Sequence, residues 1–300
     1  MPLSIIDQYQ VKYENIWRRL VQQADSRLLK AVEYKSGCEG EVLFIDQIRP
    51  IDVTPLTLRL QATPIIEIET EKRALYPEKF AVPRHFDEFD DKLLAAQSLP
   101  TSQTFMEMKS GVNRKIDDLI IAAATGIART GVNGATNTAL PATQQIAVDR
   151  GTGTNENFTI DKWLDLKERF EAAEVVGQDA MESMYYIVLS SSQLRGLYNE
   201  SRITSSDFAA DLKALYYGEI DQFLGGQVIR SERLALTGTV RSCFAFVKSG
   251  ICFGMWTDPS FRLVERHDFN DALQLRGKFQ AGATRLEEEK VIEILCDEAA

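Results

Sequence analysis

The segment that most constrains the fold of this 300-residue chain is residues 102–129, which have the spacing of one long amphipathic helix. Its apolar residues recur at intervals of three and four, which is the period of one helix face. They are Phe105, Met108, Val112, Ile116, Leu119, Ile120, Ala123, Ala124 and Ile127. Pro100 and Ser102 supply start signals, and Gly131 supplies a stop. A helix of this length spans roughly 40 Å, so we expect it to lie on a sheet with its polar back exposed.

The residues before this helix predict extended structure that projects from a domain. Residues 42–86 contain five prolines, which divide the region into short extended segments. Two of these segments, residues 56–61 and 66–71, alternate apolar and polar side chains as half-buried strands do. A projecting charged region has little to bury, so it needs a surface outside its own domain to hold it. The pattern therefore favours a protein that contacts copies of itself.

The second of these segments carries a ladder of negative charge beside basic residues. The carboxylates are Glu67, Glu69 and Glu71, and the nearby basic residues are Arg59, Lys72 and Arg73. Two interpretations stay open at this point. The charges pair, either across a hairpin or between subunits, or they are solvated and protect an exposed strand edge from aggregation.

The composition favours a folded protein that does not read nucleic-acid sequence. The hydrophobic share of 44% suffices for a sizeable core, and the length allows one elaborate domain or two ordinary ones. The formal net charge is −10. A chain this acidic gains little from counterion release, which disfavours sequence-specific DNA or RNA binding. An acidic wall still suits a container for packed polyanion, because it does not adhere to its contents.

The sequence lacks the residue patterns of the common catalytic and metal sites. Only two histidines occur, and the four cysteines form no CxxC pair, which predicts buried reduced thiols. No nucleophile elbow or phosphate-binding loop is present. We therefore expect no enzyme activity, cofactor or metal. Residues 1–20 carry charges throughout and predict neither a signal peptide nor an anchor, and no stretch is apolar enough to cross a membrane.

The rest of the chain predicts a mixed α/β region followed by long strands. Residues 158–173 predict a helix, residues 261–279 predict long and partly exposed strands, and residues 131–157 predict a loop. Short strands are predicted over residues 184–189, 227–229, 243–247 and 291–295, of which the first is expected to be central in a sheet and the last to be buried. The run RLEEEK at residues 285–290 predicts a solvated turn. Residues 8–33 predict a helix that is either an ordinary surface helix or an arm on a neighbouring subunit.

The order of these elements resembles that of the major capsid proteins of tailed bacteriophages, which share the Hong Kong 97-like fold. The resemblance covers nearly the whole chain. Its most telling stretch runs from Glu71 to Ala128, and the order and spacing of its segments carry the resemblance. Within it an arginine is followed three residues later by an aspartate, Arg114 and Asp117, just before the apolar run IIAA. Residues 261–266 and 282–294 resemble the closing strands of the family. The implied fold class is α+β, with an N-terminal arm, an extended hairpin, a long spine helix and a mixed α/β domain.

The resemblance implies four regions in the chain. They are an N-terminal arm at residues 1–41, an extended loop (a β-hairpin) at residues 42–86, a peripheral domain at residues 87–130 and 256–287 with a spine helix at 102–129, and an axial domain at residues 131–255 and 288–300. In the family the extended loop lies over the neighbouring subunit. The axial domain meets its copies at the five-fold and six-fold centres.

The implied function is self-assembly into the icosahedral head shell that encloses phage double-stranded DNA. The implied partners are the chain itself, as pentamers and hexamers, a scaffolding protein, a portal, a decoration or cement protein, and packaged DNA bound without sequence specificity. The location is the virion, with assembly in the host cytoplasm. The expected interface residues are Arg59, Glu67, Glu69, Glu71, Lys72, Arg73, Arg114, Asp117, Arg262, Glu265 and Arg266.

Three alternatives to this function stay open. The nearest is an encapsulin, a bacterial compartment of the same fold that holds cargo enzymes. A soluble α/β enzyme with an unrecognised site is the second, and it leaves the charged proline-rich hairpin unexplained. A decoration or tail protein is the third, which the long spine helix disfavours.

Overall fold

The computed structural model describes residues 20–51, 53, 55, 67–87, 101–150, 153–176, 184–199, 222–269 and 271–299. Within these residues the chain is a mixed α+β protein, as the sequence predicts. Its helices are α1 (Thr101–Thr125), α2 (Ile160–Ala172) and α3 (Ser191–Asn199). Its strands are β1 (Glu33–Ser36), β2 (Leu43–Ile48), β3 (Thr70–Leu75), β4 (Glu78–Phe86), β5 (Ala128–Thr130), β6 (Thr136–Thr138), β7 (Gln145–Ile146), β8 (Tyr185–Leu189), β9 (Gln222–Phe223), β10 (Gly226–Arg230), β11 (Leu236–Thr237), β12 (Val240–Phe246), β13 (Ile251–Arg266), β14 (Ala272–Arg285) and β15 (Val291–Asp297).

The described strands form three sheets. The largest has seven strands in the order β7-β15-β12-β8-β10-β9, with β11 paired to β12 at its side. A second sheet has the order β2-β3-β5-β6, and all of its neighbouring strands are antiparallel. A third has the order β1-β13-β14-β4, in which β1 runs parallel to β13. Because β4 joins the third sheet, the hairpin predicted over residues 42–86 consists of β2 and β3 and ends at Leu75.

The chain divides into two compact units. The first unit is Met1–Ser26, Lys79–Lys115 and Thr257–Gln280, and the second is Arg27–Glu78, Ile116–Trp256 and Ala281–Ala300. Helix α1 and strands β13 and β14 each have residues in both units. The predicted assignment of arm, loop, peripheral and axial domains stays a prediction.

The first unit has an aromatic core of its own. Phe86, Met108 and Leu275 are buried together, and Val82, Phe261 and Leu273 pack against them. The rings of Phe105 and Phe261 meet edge to face with their centres 4.9 Å apart, an arrangement that aromatic pairs prefer. A side chain at Gly277 would place its Cβ only 2.7 Å from the Phe261 ring. Glycine at this position lets the ring reach the strand.

The core of the second unit is built around the seven-stranded sheet. Strands β12 and β15 pair over seven positions, and most of their side chains are fully buried. Trp163 of α2 is also fully buried, and its Nε1 donates to the Tyr185 hydroxyl at 2.9 Å. The start of α2 is capped by Thr159, whose side chain accepts from the Lys162 backbone N–H. The predicted strands over residues 184–189, 227–229, 243–247 and 291–295 are thereby confirmed.

Helix α1 ends earlier than the sequence predicts. The prediction placed its end at Arg129, whereas the helix ends at Thr125 and residues 128–130 form β5. The Gly126 N–H bonds to the Ala122 carbonyl at 3.0 Å, and a Cβ at Gly126 would lie 2.3 Å from that oxygen. The backbone of β5 then pairs with β3. Residues 128–130 are therefore part of a sheet, although the apolar spacing of the helix continues as far as Ile127.

The predicted helix over residues 8–33 is wrong in its described part. Residues 20–32 have no regular helix, and β1 begins at Glu33. The backbone N–H groups of Arg27 and Leu28 instead donate to the Asp117 carboxylate at 3.1 and 3.3 Å. Leu28 itself is fully buried. These contacts with the rest of the second unit explain why residues 27 and 28 are not helical despite their helical spacing. Residues 8–19 lie outside the described residues.

The remaining predicted helices, strands and loops agree with the structure in part. The helix over residues 158–173 and the long strands over 261–279 correspond to α2, β13 and β14, with a short 3-10 helix between the two strands. Residues 131–157 are mostly irregular where described, although β6 and β7 lie within them. The strand predicted at residues 66–71 begins only at Thr70. The stretch 56–61 lies outside the described residues.

Candidate assembly interface

The β2–β3 hairpin is buried at its root and exposed further out. We call β2, β3 and the residues between them the limb. The two strands pair from Leu43 with Leu75 to Ile48 with Thr70. Along β3 the side chains change from exposed at Thr70 to buried at Arg73, Ala74 and Leu75, whereas no residue of β2 is fully buried. Among the described residues of the limb, those at its root therefore lie in the core of the second unit and those further out are exposed.

The root is held by a small apolar cluster. Leu75, Cys252 and Leu286 are buried together, and Leu43, Ile45 and Trp256 pack on them. Because neighbouring residues of a strand face opposite sides, Phe44 and Ile48 lie on the other face of β2. Both are exposed. Only one face of β2 thus contributes to this core.

The outer part of the limb exposes large apolar side chains. Ile48 is 69% exposed and Val53 is 94% exposed. The other described members of this group are Phe44, Ile51 and Ile68. Single apolar residues on a surface are common, but a group of them along one hairpin indicates a binding surface.

The charges of the limb pair across the hairpin. Lys72 lies directly opposite Asp46, with its Nζ 3.7 Å from a carboxylate oxygen. Arg49 reaches Glu69 at 3.1 Å and Glu71 at 2.9 Å. The bond to Glu71 is the main reason that the pKa of Arg49 is raised above its ordinary value. Of the interpretations left open by the sequence, pairing within the hairpin is therefore confirmed for these groups, which fixes the register more than it adds stability.

Arg49 is a residue that the sequence reasoning missed. Its signal lies in the strand register, since the pairing of Ile48 with Thr70 places the next residue, Arg49, opposite Glu69. The Arg49 backbone N–H indeed donates to the Glu69 carbonyl at 3.1 Å. Glu67, two residues further out, is exposed, and Arg59 lies outside the described residues.

Arg73 differs from its neighbours because it is buried. Only 3% of its side chain is exposed, and its two terminal nitrogens donate to both oxygens of Glu288 at 2.9 and 2.6 Å. Its Nε lies 3.4 Å from the Gln47 side-chain oxygen. The prediction of a solvated turn at residues 285–290 is wrong for Glu288 and Arg285, because both bind groups far away in the sequence.

Two clefts flank the root of the limb within the second unit. The larger has a volume of about 830 Å³ and is lined by the limb, by residues 173–175 after α2 and by residues 287–290. The smaller has a volume of about 430 Å³ and is lined by β3, by residues 130–132 and by Glu288. Charged side chains prevail in the larger cleft, including Arg49, Glu71 and Glu174.

The predicted pair on the long helix binds the chain's own N-terminal segment. In the first unit Arg114 donates to the Gln22 side chain and, at 3.1 Å, to the Gln23 carbonyl. In the second unit Asp117 is buried and accepts the backbone bonds of Arg27 and Leu28. Both side chains therefore hold local structure, and their role between copies stays a prediction.

The predicted residues of β13 lie in the exposed part of that strand. Arg262 and Glu265 are exposed. Arg266 is half-buried and donates to Asp268 at 2.6 Å and to Gln274 at 3.3 Å. The bond from Arg266 lowers the pKa of the Asp268 carboxyl to about 2. The structure thus places these residues in the first unit, apart from the limb residues, which belong to the second.

The described residues were expected to contain neither a metal site nor a reactive thiol. Among them, no group of three or more His, Cys, Asp or Glu side chains is placed to hold a metal ion. The buried thiol of Cys252 has its pKa raised to about 12 by burial, which disfavours a reactive thiolate. In the same part of the chain no helix is both long and apolar enough to cross a membrane.

Comparison with known proteins identifies the family. The sequence pattern of the family described as phage capsid protein matches residues 5–298, nearly the whole chain. The chain belongs to the phage capsid protein family. No curated protein is similar enough to this capsid protein to count as a match.

Solved capsids share the fold of this capsid protein at low sequence identity. The Cyanophage Pam1 capsid matches with a TM-score of 0.74 at 9% identity, over 100% of this chain and 99% of that one. The capsid of the Helicobacter pylori bacteriophage KHP30 gives 0.73 at 10% identity, over 97% and 96%. A chain of Mycobacterium phage Che8 gives 0.67 at 14% identity, over 95% and 96%. The predicted Hong Kong 97-like fold is confirmed.

Family and fold together confirm the predicted function as a major capsid protein that forms the phage head shell. The protein associates with copies of itself in that shell and is located in the capsid of the virion. It belongs to a structural family. The family match favours the capsid function over the encapsulin and decoration-protein alternatives, because the matched pattern is that of phage capsid proteins.

Proposed function

We propose that this capsid protein assembles as pentamers and hexamers into a closed icosahedral shell, in which the limb lies on a neighbouring copy. The observation that carries the proposal is the row of exposed apolar side chains along the limb, represented by Ile48 and Ile68. Burying apolar surface contributes about 25 cal/mol per Å², so covering such side chains favours association. One surface of a subunit then meets a different surface of its neighbour, which generates rings.

The charged side chains of the limb fix how it is oriented against a neighbour and add little to the binding free energy. Arg49, Glu69 and Glu71 already pair within the hairpin, so they set its shape before assembly. Glu67 is exposed beyond them and is the carboxylate best placed to meet a neighbour. Exposed ion pairs contribute little stability, and weak contacts let misplaced subunits detach before the shell closes.

The remaining functional expectations belong to the same proposal. The shell encloses double-stranded DNA without reading its sequence, which agrees with a net charge of −10. Assembly takes place in the host cytoplasm with a scaffolding protein, a portal and a decoration or cement protein as partners. The role is structural, without catalysis. The four predicted regions supply the arm, the loop, the peripheral contacts and the axial contacts.

The proposal is tested by making the limb polar. The double variant Ile48→Asp/Ile68→Asp places two charges where a neighbour has to cover apolar groups. We expect purified unchanged protein to form closed shells in electron micrographs, whereas the double variant stays as small species of unaltered circular dichroism. The matched control is Ile48→Val/Ile68→Val, which keeps both positions apolar and should assemble.

Two results would contradict the proposal. Shells of normal yield and size from the aspartate variant would mean that the limb is not covered by a neighbour. The second result is that the unchanged protein forms no pentamers, hexamers or shells at any concentration, with or without a co-expressed scaffold. That result would contradict self-assembly itself.

A further inference from the structure

The run of residues 285–290 contacts both strands of the limb at its root. From β3, Arg73 makes two bonds to the Glu288 carboxylate, at 2.9 and 2.6 Å. From β2, the Gln47 side chain donates to the Leu286 carbonyl at 3.2 Å. The Leu286 side chain is buried beside Leu75. The limb is therefore held by polar bonds on both strands and by one apolar contact, all from the same short run.

The same run is tied to the rest of the second unit by Arg285. This side chain is fully buried, and one terminal nitrogen donates to the carbonyls of Ala124 at 3.0 Å and Gly126 at 2.8 Å. The other terminal nitrogen donates to the Thr138 carbonyl at 3.2 Å. Arg285 thus satisfies carbonyls at the end of α1, which a helix otherwise leaves unpaired.

These contacts connect the limb to α1 through two guanidinium groups. Arg285 and Arg73 lie on either side of Glu288, at 3.8 Å and 2.6 Å respectively. Burial lowers the pKa of Arg285 below its ordinary value, in spite of the opposing effect of Glu288. A planar guanidinium that bonds both oxygens of a carboxylate fixes direction as well as distance. The Arg73–Glu288 pair therefore fixes the position of β3 relative to residues 285–290.

We propose that residues 285–290 form a clamp that holds the limb in the orientation that a neighbouring copy can receive, with Arg73 and Glu288 as positioning residues. The inference rests on the proposed contact between the limb and a neighbour. At Arg73 and Ala74 the strand β3 also pairs with β5, but from Thr70 to Lys72 it pairs with β2 alone. A hairpin of two strands is marginally stable by itself, so without the clamp this outer part of the limb samples more directions. Binding affinity falls in proportion to the fraction of molecules in the competent orientation.

The neighbouring residue Lys72 provides a matched control. It lies next to Arg73 on β3 but is half-exposed, and it reaches Asp46 only at 3.7 Å. Replacing Arg73 removes the bonds to Glu288. Replacing Lys72, the residue next to it, removes only the ion pair with Asp46. Because both substitutions remove one positive charge, a difference between them reports on the orientation of the limb and not on its net charge.

The test compares Arg73→Met and Lys72→Met in the full-length chain. We expect the Arg73→Met subunit to need about a tenfold higher concentration to form shells, as measured by sedimentation, if the limb is correctly placed a tenth of the time. Hydrogen exchange on the unassembled subunit should accelerate in β2 and in the outer part of β3, while β12 and β15 keep their protection. Lys72→Met should differ from the unchanged chain by less than about twofold in both measurements.

A second variant covers the case in which Arg73→Met leaves the partly buried Glu288 carboxylate without its two bonds from Arg73 and the subunit does not fold. The double variant Arg73→Met/Glu288→Met removes both charges, and such apolar replacements of buried ion pairs generally keep the fold. We expect it to fold, to show the same local exchange in the limb and to assemble poorly.

The possible outcomes are distinct. Normal assembly of a folded clamp variant, or faster exchange throughout β12 and β15 as well as the limb, would overturn the clamp while leaving the proposed function intact. Failure of the unchanged chain to assemble would instead contradict the proposed function. Poor assembly with exchange confined to the limb supports the clamp.

Discussion

The seven-stranded sheet and the limb belong to the same unit but differ in how they are stabilised. In β12 the four residues 243–246 are all fully buried, and β15 is almost as deeply covered. In the limb, β2 has no fully buried residue although it contains Leu43, Phe44, Ile45 and Ile48. Apolar side chains therefore serve two purposes in this capsid protein. Those of the sheet stabilise the subunit, and those of the limb are available to another copy.

The largest expected contrast comes from one substitution made in both regions. Phe244→Ala in β12 should lower the free energy of unfolding by about 3–5 kcal/mol, because it leaves a cavity in a closed core. Phe44→Ala in β2 should cost about 0.5 kcal/mol, because that ring is already partly in water. Denaturant unfolding of the unassembled subunit measures both. Equal losses would remove the distinction between the two regions.

The second-largest expected loss of stability comes from removing the hydrogen bonds of the Tyr185 side chain in the core of the sheet. The Tyr185 hydroxyl accepts from Trp163 and donates to the Leu224 carbonyl at 3.0 Å. Burial raises the pKa of Tyr185 to about 12, so the hydroxyl stays protonated across the physiological range. Tyr185→Phe leaves both partners unsatisfied and should cost about 1–3 kcal/mol by denaturant unfolding.

The control for this prediction is the neighbouring residue. Tyr186→Phe removes a hydroxyl that takes no part in the bonds from Trp163 to Leu224, so its effect should stay below about 0.5 kcal/mol. A Tyr185→Phe subunit as stable as the Tyr186→Phe subunit would show that this chain of bonds contributes nothing to the core.

Acid should weaken the sheet by a smaller amount, at the ion pair between Arg241 of β12 and Glu298 just after β15. The bond from Arg241 is the main reason that the pKa of Glu298 is lowered below its ordinary value of 4.5. Its stabilisation is therefore present above pH 4.5 and is lost as the pH falls through the lowered pKa. Glu298→Gln should cost about 1 kcal/mol at pH 7 and nearly nothing below that pKa. Thermal unfolding of both proteins across this range measures the difference, and a constant gap would contradict the assignment.

The charges on the limb should have the smallest effect on the subunit. Arg49→Ala removes the pairs with Glu69 and Glu71, all of which are substantially exposed. We expect almost no loss of stability, and the small effect decreases further at high salt because exposed charges are screened. Denaturant unfolding at low and high salt checks this. A large, salt-independent loss would mean that the limb contributes to the fold as the sheet does.

The sequence predicted the parts of this protein that depend on local patterns. The apolar runs of β8, β12 and β15 identified buried strands, since a short continuous apolar run needs cover on both faces. The start of α1 was within one residue of the prediction, because its start signals lie beside it in the chain. The resemblance to capsid proteins rested on the order of such elements and was confirmed.

Three of the failures involve contacts between residues that are far apart in the sequence. The end of α1 depends on Arg285, which lies 159 residues beyond Gly126. The segment before β1 is held by Asp117, about 90 residues away along the chain. The pairing of Arg73 with Glu288 spans 215 residues, so neither local period nor composition indicates that this one member of a charged ladder is buried.

The most direct test of the central claim is a cryo-electron microscopy map of assembled shells at side-chain resolution. The account predicts that the side chains of Ile48 and Ile68 lie within about 4.5 Å of apolar atoms from a second copy. Shells in which both side chains face solvent, or contact only their own subunit, would contradict it.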